Sequence, residues 1–529
     1  MNILITPDIH EWAIGKLTKI IVDNNNRFNF YNIAVHPRAI PQGLAEIQKV
    51  IRSGVKFDLW HAQYWNSAMQ MMNLMPELKD IPKILFQSNH NSLKEHDWND
   101  FDALTHSTDY GVNMLRENHS KVLKIPFGID LDNYSYIDEY PPKEKAVGYI
   151  GRVVPWKNLD QICIVSKSLG YKVVGCGYID KPDYWEKVPR DNLEFNGGFG
   201  RGSMATPTFE TEIFRKMTCF VMYSREEKES GTLPMLEAMA RGIPVLATRQ
   251  GMARDIIEDG VNGIFFDKTN FAEKLKLVME DKELQDKLRV NAWRTIKDYS
   301  EEKMAWEHGK LYYKTLYPKQ ELVSVIIPTF QRSEELLKIM LSVEAQDYPA
   351  KEIIVCDDGS TDETPVVVKE AKKKFKTPIK YIKTGDKLEY GLAKARNKGA
   401  IEAMGSILLF LDDRYTLEKG AIEKMIPVAK DRVFGHGVKV IDGKESTKTS
   451  FIENFAWIRK IDFMNAGMFS ERMDMYGGLS QETRQRFGAQ GFTFIRVPDV
   501  KCIEIAHSSR NKRKDEIWKS KLRLKKMYE

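Results

Sequence analysis

The sequence predicts a protein of the α/β class that is divided into three units with mainly parallel β-sheets. Short apolar runs of strand length alternate with longer amphipathic stretches, which is the pattern of βαβ units. The 529 residues are roughly three times the ~150 residues of an average domain, so a single core is excluded. The apolar runs lie at residues 3–5, 58–61, 84–86, 147–150, 172–174, 219–222, 245–247, 323–327 and 407–411.

Composition narrows the class of protein further. Hydrophobic residues make up 42% of the chain, which is too much for a disordered protein. No apolar run approaches the ~18 residues of a membrane-spanning helix. The five cysteines lie far apart without a CxxC pair, which disfavours a zinc knuckle or a disulfide framework. These observations predict a folded protein of the cytoplasm.

The formal net charge of +6 comes entirely from the end of the chain. Residues 510–529 hold nine Lys and Arg against three Asp and Glu, and the rest of the chain is balanced. We interpret this tail as a candidate for contact with an anionic membrane, at its inner face, or with nucleic-acid phosphates. A solvated terminal helix is the alternative.

Polar breaks near residues 141–144 and 317–320 mark the boundaries between units. The predicted units are residues 1–140, 141–317 and 321–509, followed by the basic tail at 510–529. Ligands of parallel sheets bind beyond the carboxyl ends of the strands, so we expect the functional residues in the loops that follow the apolar runs.

The loop after the run at 219–222 has the features of an anion site. Backbone N–H groups around Gly231 and Thr232 precede a predicted helix, whose start favours a negative charge such as a diphosphate. Glu237 lies one turn inside that helix, where its carboxylate can accept hydrogen bonds from sugar hydroxyls. Glu229 lies in the loop, at the reacting end.

This segment resembles family 4 glycosyltransferases of the GT-B fold, in which two glutamates separated by seven residues occupy this loop and helix, as Glu229 and Glu237 do. The resemblance implies two Rossmann-like units and a nucleotide-sugar donor bound by the second one. It places Glu237 on the ribose and Glu229 near the donor sugar, and it implies retention of the anomeric configuration. Ordinary surface glutamates are the alternative.

Two further segments extend the resemblance. Residues 151–158 contain Arg152 and Lys157, which match the cations that clamp the donor diphosphate in the family. Residues 125–130 are close to the family's interdomain segment, with Phe127 in place of an asparagine. Fixed cations can neutralise a departing nucleoside diphosphate without a metal, so no cofactor is predicted in the N-terminal half.

The first unit is expected to bind the acceptor, and its signals are weaker. Gly15 stands where family members have a glycine pair near the donor phosphates. His61 and His90 both follow strand-like runs, and the resemblance favours His90 as the histidine near the donor sugar. A structural role is the alternative for each histidine.

The second half contains four segments, at residues 323–332, 352–362, 391–399 and 406–414. Their order and spacing resemble family 2 glycosyltransferases of the GT-A fold, which implies an α/β domain with a mixed, mainly parallel sheet. The implied donor-binding residues are Pro328, Asp357, Asp358, Arg396 and Asp412. Asp358, with Asp357 as the second choice, would accept the N–H of a uracil-like base.

The acidic pair after the run at 407–411 predicts a metal site. Asp412 and Asp413 would hold the ribose and a divalent cation, Mn²⁺ or Mg²⁺, that bridges the diphosphate. The family has Asp-x-Asp, whereas Arg414 occupies the second acidic position here. Either Asp413 carries the metal alone, or Arg414 supplies the positive charge, or this half only binds. His507 is a candidate third ligand, with a solvent-exposed histidine as the alternative.

An inverting transfer requires a carboxylate that takes the proton of the acceptor hydroxyl. Residues 476–486 resemble the family's stretch that ends in Glu-Asp before a helix, with Gln481 and Glu482 at those two positions. We predict Glu482 as this base, with an ordinary helix-start glutamate as the alternative. Trp457 is a candidate for stacking on a sugar, with core packing as the alternative.

These features together predict two fused glycosyltransferases that use UDP- or GDP-linked sugars. The N-terminal half would be retaining and metal-free, and the C-terminal half inverting and metal-dependent. The predicted acceptor is a lipid-linked or surface oligosaccharide, with the tail docking the protein at the inner membrane face. The alternatives are a viral-type enzyme that decorates modified bases of DNA, or one active half with a degenerate sugar-binding second half.

Overall fold

The structure is a computed structural model, which describes residues 1–8, 13–25, 27–87, 97–134, 136–198, 212–225, 233–384, 391–473 and 478–506. The chain forms two compact units. One contains residues 4–24 and 32–308, and the other contains residues 1–3 and 25–31 together with the chain from residue 309 onward. Three sheets with flanking helices confirm the predicted α/β class.

The first sheet is formed by short apolar strands. They are β1 (Asn2–Thr6), β2 (Asn29–Asn32), β3 (Leu59–Ala62), β4 (Lys83–Phe86), β5 (Ala103–His106) and β6 (Val122–Lys124). Their order is β2-β1-β3-β4-β5-β6, and the pairings from β3 to β6 are parallel. The helices are α1 (Ala13–Asp23), α2 (Ile40–Arg52), α3 (Trp65–Leu74) and α4 (Asp109–Arg116). In α2, Ile40, Leu44 and Ile47 recur at helical spacing and are buried.

The second sheet is parallel throughout its described pairings. Its strands are β7 (Ala146–Ile150), β8 (Lys172–Cys176), β9 (Leu193–Asn196), β10 (Cys219–Met222), β11 (Val245–Ala247) and β12 (Ile264–Phe265). The helices are α5 (Leu159–Ser168), α6 (Pro182–Trp185), α7 (Leu233–Ala240), α8 (Ala253–Ile256), α9 (Phe271–Glu280), α10 (Lys282–Ile296) and α11 (Glu301–Leu316). The strand order β12-β11-β10-β7-β8-β9 reverses direction between β7 and β10. A crevice for ligands forms at such a reversal.

The third sheet is mixed. Its strands are β13 (Val323–Thr329), β14 (Lys351–Asp357), β15 (Ile379–Lys383), β16 (Ile407–Leu411), β17 (Tyr415–Leu417), β18 (Val433–Ile441), β19 (Lys444–Glu445), β20 (Phe455–Arg459) and β21 (Thr493–Glu504). The order is β15-β14-β13-β16-β20-β18-β21-β17, with β19 beside β18. Pairing is parallel from β15 to β16 and between β18 and β21, and antiparallel elsewhere. The helices are α12 (Ser333–Glu344), α13 (Thr364–Lys374), α14 (Leu392–Glu402), α15 (Ala421–Met425), α16 (Lys460–Asn465) and α17 (Leu479–Ala489).

Helices cover both faces of the central strands of this sheet, so the middle of each strand is an apolar run, at residues 325–327, 353–356 and 407–411. All residues of β13, β14 and β16 are buried. The pairing of β13 with β16 ends at Ile326 and Phe410. Pro328 therefore lies beyond that pairing, where its missing N–H removes no bond to β16.

The predicted strands at 147–150, 219–222 and 407–411 are confirmed. Short 3₁₀ turns lie at Pro76–Asp80, Pro155–Lys157, Lys297–Tyr299 and Ile426–Val428. Among the helices that the structure describes, none combines the length and the apolar character that crossing a membrane requires.

Candidate active sites

The loop that follows β7 presents two cations beside a glycine. Gly151 has a φ of +152°, and a Cβ atom there would lie 3.6 Å from Lys157 Nζ. Arg152 forms an ion pair with Asp180, with 3.8 Å between Nη1 and Oδ2, and its guanidinium lies 5.0 Å from the ring centroid of Trp156. Both cationic side chains are partly exposed. The loop therefore offers positive charge at the carboxyl end of β7.

A buried asparagine fixes this loop to the neighbouring strand. Asn158 has a left-handed backbone (φ 48°), and its Nδ2 donates to the carbonyl oxygen of Tyr223 at 3.0 Å, directly after β10. Since α7 also follows β10, the topology brings Glu237 and the cationic loop to the same edge of the sheet, at the reversal of the strand order.

Glu237 is held inside α7 by an aromatic partner. It is 8% exposed, and Tyr134 Oη donates a hydrogen bond to its Oε1 at 3.1 Å. The guanidinium of Arg241, directly after the end of α7, lies 4.3 Å from the ring centroid of Tyr134. The predicted residues Glu229, Gly231 and Thr232 lie outside the described residues, and their roles stay predictions.

Phe127 replaces the expected asparagine for a packing reason. Its buried ring lies edge-to-face against Phe86, with 5.9 Å between the centroids. The next residue, Gly128, approaches the backbone so closely that a Cβ atom would lie 2.4 Å from the carbonyl oxygen of Ser300. Apolar packing therefore explains the departure from the family pattern.

Gly15 and His61 are both buried. Gly15 lies within α1. His61, on β3, has its ring centroid 5.3 Å from that of His308, and Gln63 Nε2 lies 3.1 Å from its Nε2. Burial, together with the neighbouring His308, lowers the pKa of His61 well below its usual value. His90, the favoured catalytic histidine, lies outside the described residues.

In the compact unit that contains the chain from residue 309 onward, the two aspartates at the end of β14 differ in environment. Asp357 is fully buried, and its carboxylate accepts hydrogen bonds from Ser360 N (2.8 Å) and Tyr381 Oη (2.5 Å). Asp358 is partly exposed and accepts from Gly391 N at 3.2 Å, and its partial burial raises its pKa. This geometry favours Asp358 over Asp357 for binding a base, which stays a prediction.

Two arginines hold Asp412 directly after β16. Arg396 on α14 is fully buried and donates from Nη2 to Asp412 Oδ1 at 2.5 Å. Arg414 donates from Nη2 to Oδ2 at 3.2 Å. Burial alone would raise the pKa of Asp412, but the two guanidinium groups hold it below its usual value. Asp412 is therefore a buried, ion-paired carboxylate.

Asp413 has a separate set of neighbours. Its Oδ2 lies 3.7 Å from Arg332 Nε and 3.4 Å from the backbone N of Phe330. Burial and the adjacent charge of Asp412 raise the pKa of Asp413 to about 6. The two consecutive aspartates therefore carry charge to different degrees near neutral pH.

Two residues that no motif indicated complete this site. Glu453 Oε1 lies 3.8 Å from Arg396 Nη1, and Glu453 Oε2 accepts a hydrogen bond from the Ser480 hydroxyl. Lys439 on β18 donates from Nζ to Asn454 Oδ1 at 2.6 Å. Both come from parts of the chain that only the tertiary fold brings to β16. We name the set the β16 charge cluster, which consists of Arg332, Arg396, Asp412, Asp413, Arg414, Lys439 and Glu453.

The β16 charge cluster does not fit a divalent cation. Such a cation takes several oxygen ligands, but both oxygens of Asp412 accept hydrogen bonds from guanidinium groups, and Asp413 Oδ2 faces Arg332. Over the described ranges, no group of three or more His, Cys, Asp or Glu is arranged to hold a metal ion. His507 lies outside those ranges, so the predicted metal in this half stays a prediction.

Glu482, the predicted base, is buried and forms an ion pair with Arg486. It lies in the first turn of α17, is 1% exposed and pairs with Arg486, with 2.6 Å between Oε1 and Nε. Arg486 also donates from Nη1 to the carbonyl oxygen of Ala466 at 2.5 Å. Its catalytic role stays a prediction. Trp457 is fully buried on β20, which confirms the core interpretation for that residue.

Family models match both halves of the chain. A model described as "Glycosyl transferases group 1" matches residues 135–295, and one described as "Glycosyl transferase family 2" matches residues 324–485. Each of the two matched segments is thus similar to a glycosyltransferase family. The resemblance of the second half to family 2 is thereby confirmed, whereas the assignment of the first half to family 4 stays a prediction within group 1.

Curated relatives are also glycosyltransferases. The chain is similar to GalNAc(5)-diNAcBac-PP-undecaprenol beta-1,3-glucosyltransferase of Campylobacter jejuni, with 33% identity over 29% of this chain and 51% of the relative. It is similar to GDP-mannose-dependent alpha-mannosyltransferase of Corynebacterium glutamicum, with 25% identity over 38% of this chain and 46% of the relative. The chain thus spans about half the length of these relatives.

Among solved structures, the chain is similar to sucrose-phosphate synthase of Thermosynechococcus elongatus. The TM-score is 0.50 at 14% identity, over 60% of this chain and 100% of that one. This likeness concerns the fold alone, and it agrees with the predicted pair of Rossmann-like units.

Proposed function

We propose that the chain is a bifunctional glycosyltransferase that adds two sugars from UDP- or GDP-linked donors to one glycan acceptor. The observation that carries the proposal is the presence of charged residues at the carboxyl edge of a sheet in each glycosyltransferase segment, namely the loop with Arg152 and Lys157 and the β16 charge cluster. Each arrangement suits a donor whose leaving group is a diphosphate.

In the group 1 segment, transfer joins the oxygen of the acceptor hydroxyl to the sugar C1 and breaks the bond between C1 and the diphosphate oxygen. The electron pair of that bond stays on the diphosphate, and the hydroxyl proton is released. Arg152 and Lys157 would stabilise that growing charge at the end of β7. Glu237, a buried carboxylate on the adjacent α7, would accept the ribose hydroxyls. We propose retention for this segment and inversion for the family 2 segment.

In the family 2 segment, Asp358 would accept the N–H of the base and Asp412 the ribose. Glu482 is proposed to take the proton of the acceptor hydroxyl. Its burial and its pair with Arg486 favour a second candidate function, in which this segment binds a nucleotide sugar without transferring it. Glu482→Gln distinguishes the two, because it would abolish the second addition in the first case and leave the products unchanged in the second.

The proposed acceptor is a lipid-linked or surface oligosaccharide. The Campylobacter jejuni relative is named for an undecaprenol-linked acceptor, and a Staphylococcus aureus relative with 23% identity over 40% of this chain is named for capsular polysaccharide biosynthesis. We extend this acceptor class to the chain. The tail at 510–529 is proposed to bring the protein to the anionic inner face of the membrane.

The test is a panel of UDP- and GDP-sugars on the full-length chain, with undecaprenol-linked oligosaccharides and DNA with modified bases as acceptors. Mass spectrometry counts one or two added sugars, and NMR reads the anomeric configuration of each. Asp412→Asn should remove the addition made by the family 2 segment, and Glu237→Gln should slow the addition made by the group 1 segment when the donor is limiting. Arg459→Ala should keep both, because its ion pair with Glu321 lies at the opposite end of β16. No sugar transfer from any donor would refute the proposal.

A further inference from the structure

The β16 charge cluster contains more basic than acidic side chains. The resemblance to family 2 predicts a divalent cation held by aspartates at the same place. We propose that the family 2 segment neutralises the donor diphosphate with Arg414 in place of a divalent cation. This inference rests on the proposed function, because it concerns how that segment binds its donor.

The backbone around Arg414 is fixed by the sheet. Arg414 lies between β16 and β17, and its carbonyl oxygen accepts a hydrogen bond from Ile505 N at 2.9 Å. The adjacent Tyr415 pairs with Glu504 of β21, so the backbone on the C-terminal side of Arg414 is fixed by the sheet. The side chain of Arg414 is 13% exposed. A guanidinium held in this way needs little rearrangement when a ligand arrives.

The basic and acidic side chains of the β16 charge cluster together favour an anionic ligand. The cations of the cluster are Arg332, Arg396, Arg414 and Lys439, and its carboxylates are Asp412, Asp413 and Glu453. Among the residues that the structure describes, the cluster therefore has one more basic than acidic side chain, although burial lowers the pKa of Lys439. An incoming dication would meet net repulsion, whereas an incoming diphosphate would meet net attraction.

The carboxylates of Asp412 and Asp413 lie against arginine side chains. A cation that bridges a diphosphate to Asp412 would have to share Oδ1 with Arg396 or Oδ2 with Arg414, against the repulsion of that guanidinium. Arg396 is fully buried, so its displacement would leave a charged guanidinium inside the fold without its carboxylate. Asp413 faces Arg332 instead. Arginines thus bind both oxygens of Asp412, and a third arginine lies beside Asp413 Oδ2.

The chemistry of arginine suits the task. Its planar guanidinium keeps its charge at every pH at which proteins are folded, and it pairs with phosphate oxygens through two parallel hydrogen bonds. In the family pattern an aspartate stands at this position and holds a metal. Exchanging that acid for Arg414 removes a ligand and supplies the positive charge in one substitution.

The test uses the full-length chain carrying Arg152→Ala and Lys157→Ala, which silence the group 1 site, so that nucleotide binding reports on the family 2 segment. Calorimetry measures the affinity for UDP and GDP in excess EDTA. We expect binding in EDTA, a loss of about tenfold to a hundredfold in affinity for Arg414→Ala, and partial recovery for Arg414→Lys. Arg459→Ala, which removes an Arg–Glu pair at the other end of β16, is the matched control and should bind like its parent.

A second readout follows the metal directly. Electron paramagnetic resonance of Mn²⁺, titrated with and without UDP, should show no bound ion that depends on Asp413. Arg414→Asp, which restores the family's second acid, should create such a site. If Arg414→Ala does not fold, as judged by circular dichroism, Arg414→Gln keeps a hydrogen-bond donor for Asp412 and serves the same comparison.

Three outcomes would overturn the inference: nucleotide binding that EDTA abolishes, Mn²⁺ uptake that Asp413→Asn removes, or an unchanged affinity in both Arg414→Ala and Arg414→Gln. Each of these leaves the proposed function standing, because a nucleotide still binds. The absence of any UDP or GDP binding, with or without Mn²⁺, would overturn the proposed function together with the inference.

Discussion

Replacing Glu352 by alanine should strongly destabilise the unit that contains the chain from residue 309 onward, because this carboxylate is the centre of a buried hydrogen-bond network. Glu352 is fully buried on β14 and accepts hydrogen bonds from Arg27 Nε (3.0 Å), Ser324 Oγ (2.6 Å) and Met404 N (2.7 Å). Arg27 belongs to the segment 25–31 of this unit, and its side chain is only 2% exposed. Removing the carboxylate leaves a buried guanidinium without its counter-charge.

The magnitude follows from that burial. Breaking a buried ion pair by deleting one partner costs about 3–5 kcal/mol, chiefly for the charge left behind. The double variant Arg27→Met/Glu352→Gln removes both charges and should cost less than Glu352→Ala alone. The comparison therefore separates the penalty of an unpaired charge from the loss of hydrogen bonds.

Because the chain has two compact units, its unfolding is not a single two-state transition with one free energy. Stability should therefore be measured separately for segments of each unit. Hydrogen exchange with mass spectrometry gives the opening free energy of peptides from β13 and β14, and Glu352→Ala should lower their protection by roughly a hundredfold to several thousandfold. Peptides from β7, in the other unit, are the internal control. A loss of less than about tenfold, or a double variant as unstable as Glu352→Ala, would refute the reasoning.

Three further predictions concern ligand affinity and pH. Glu237→Gln should weaken UDP or GDP binding to the group 1 segment by about tenfold, as measured by calorimetry on the Arg414→Ala background, because an amide oxygen is a poorer acceptor than a carboxylate. Gly391→Ala should weaken nucleotide binding to the family 2 segment without unfolding it, because the new Cβ would lie 2.6 Å from Asp358 Oδ1; equal affinity would argue against Asp358 as a ligand. Burial lowers the pKa of His308 to about 4, whereas the pKa in the unfolded chain is about 6.5. Between pH 6.5 and 4 the imidazole is therefore protonated in the unfolded chain and neutral in the folded chain. His308 should therefore lower the stability of the unit that contains residues 32–308 as the pH falls from about 6.5 to 4, by up to about 1.4 kcal/mol per pH unit for this one group. The opening free energy of peptides from β3, measured by hydrogen exchange, should fall less steeply with falling pH in His308→Gln.

The strands could be predicted because burial on both faces leaves a local signature. In β10 and β16 every residue is apolar or small, and the predicted bounds 219–222 and 407–411 are those observed. The loops after them could also be located, since parallel strands end at one edge. These inferences need only the order of residues along the chain.

The state of each site residue could not be predicted, because it depends on partners far away in sequence. Nothing near Asp412 indicates that Glu453 and Lys439 contribute to the same charge cluster. Glu482 has a visible partner four residues on, Arg486, but the carbonyl of Ala466 that fixes this arginine comes from another element. Motifs name the residues, whereas their charge and exposure are tertiary properties.

A fixed arginine and a bound cation make a transfer reaction depend on different variables. A metal-dependent site loses activity when the free cation falls below its dissociation constant, whereas a guanidinium is permanent and its attraction for phosphate is weakened mainly by salt. If Arg414 acts as Arg152 and Lys157 do, both segments should follow ionic strength in the same way and neither should follow Mg²⁺. A salt titration of nucleotide affinity, performed separately on the Arg152→Ala and Arg414→Ala backgrounds, would give similar slopes in that case and dissimilar ones if a cation serves the family 2 segment.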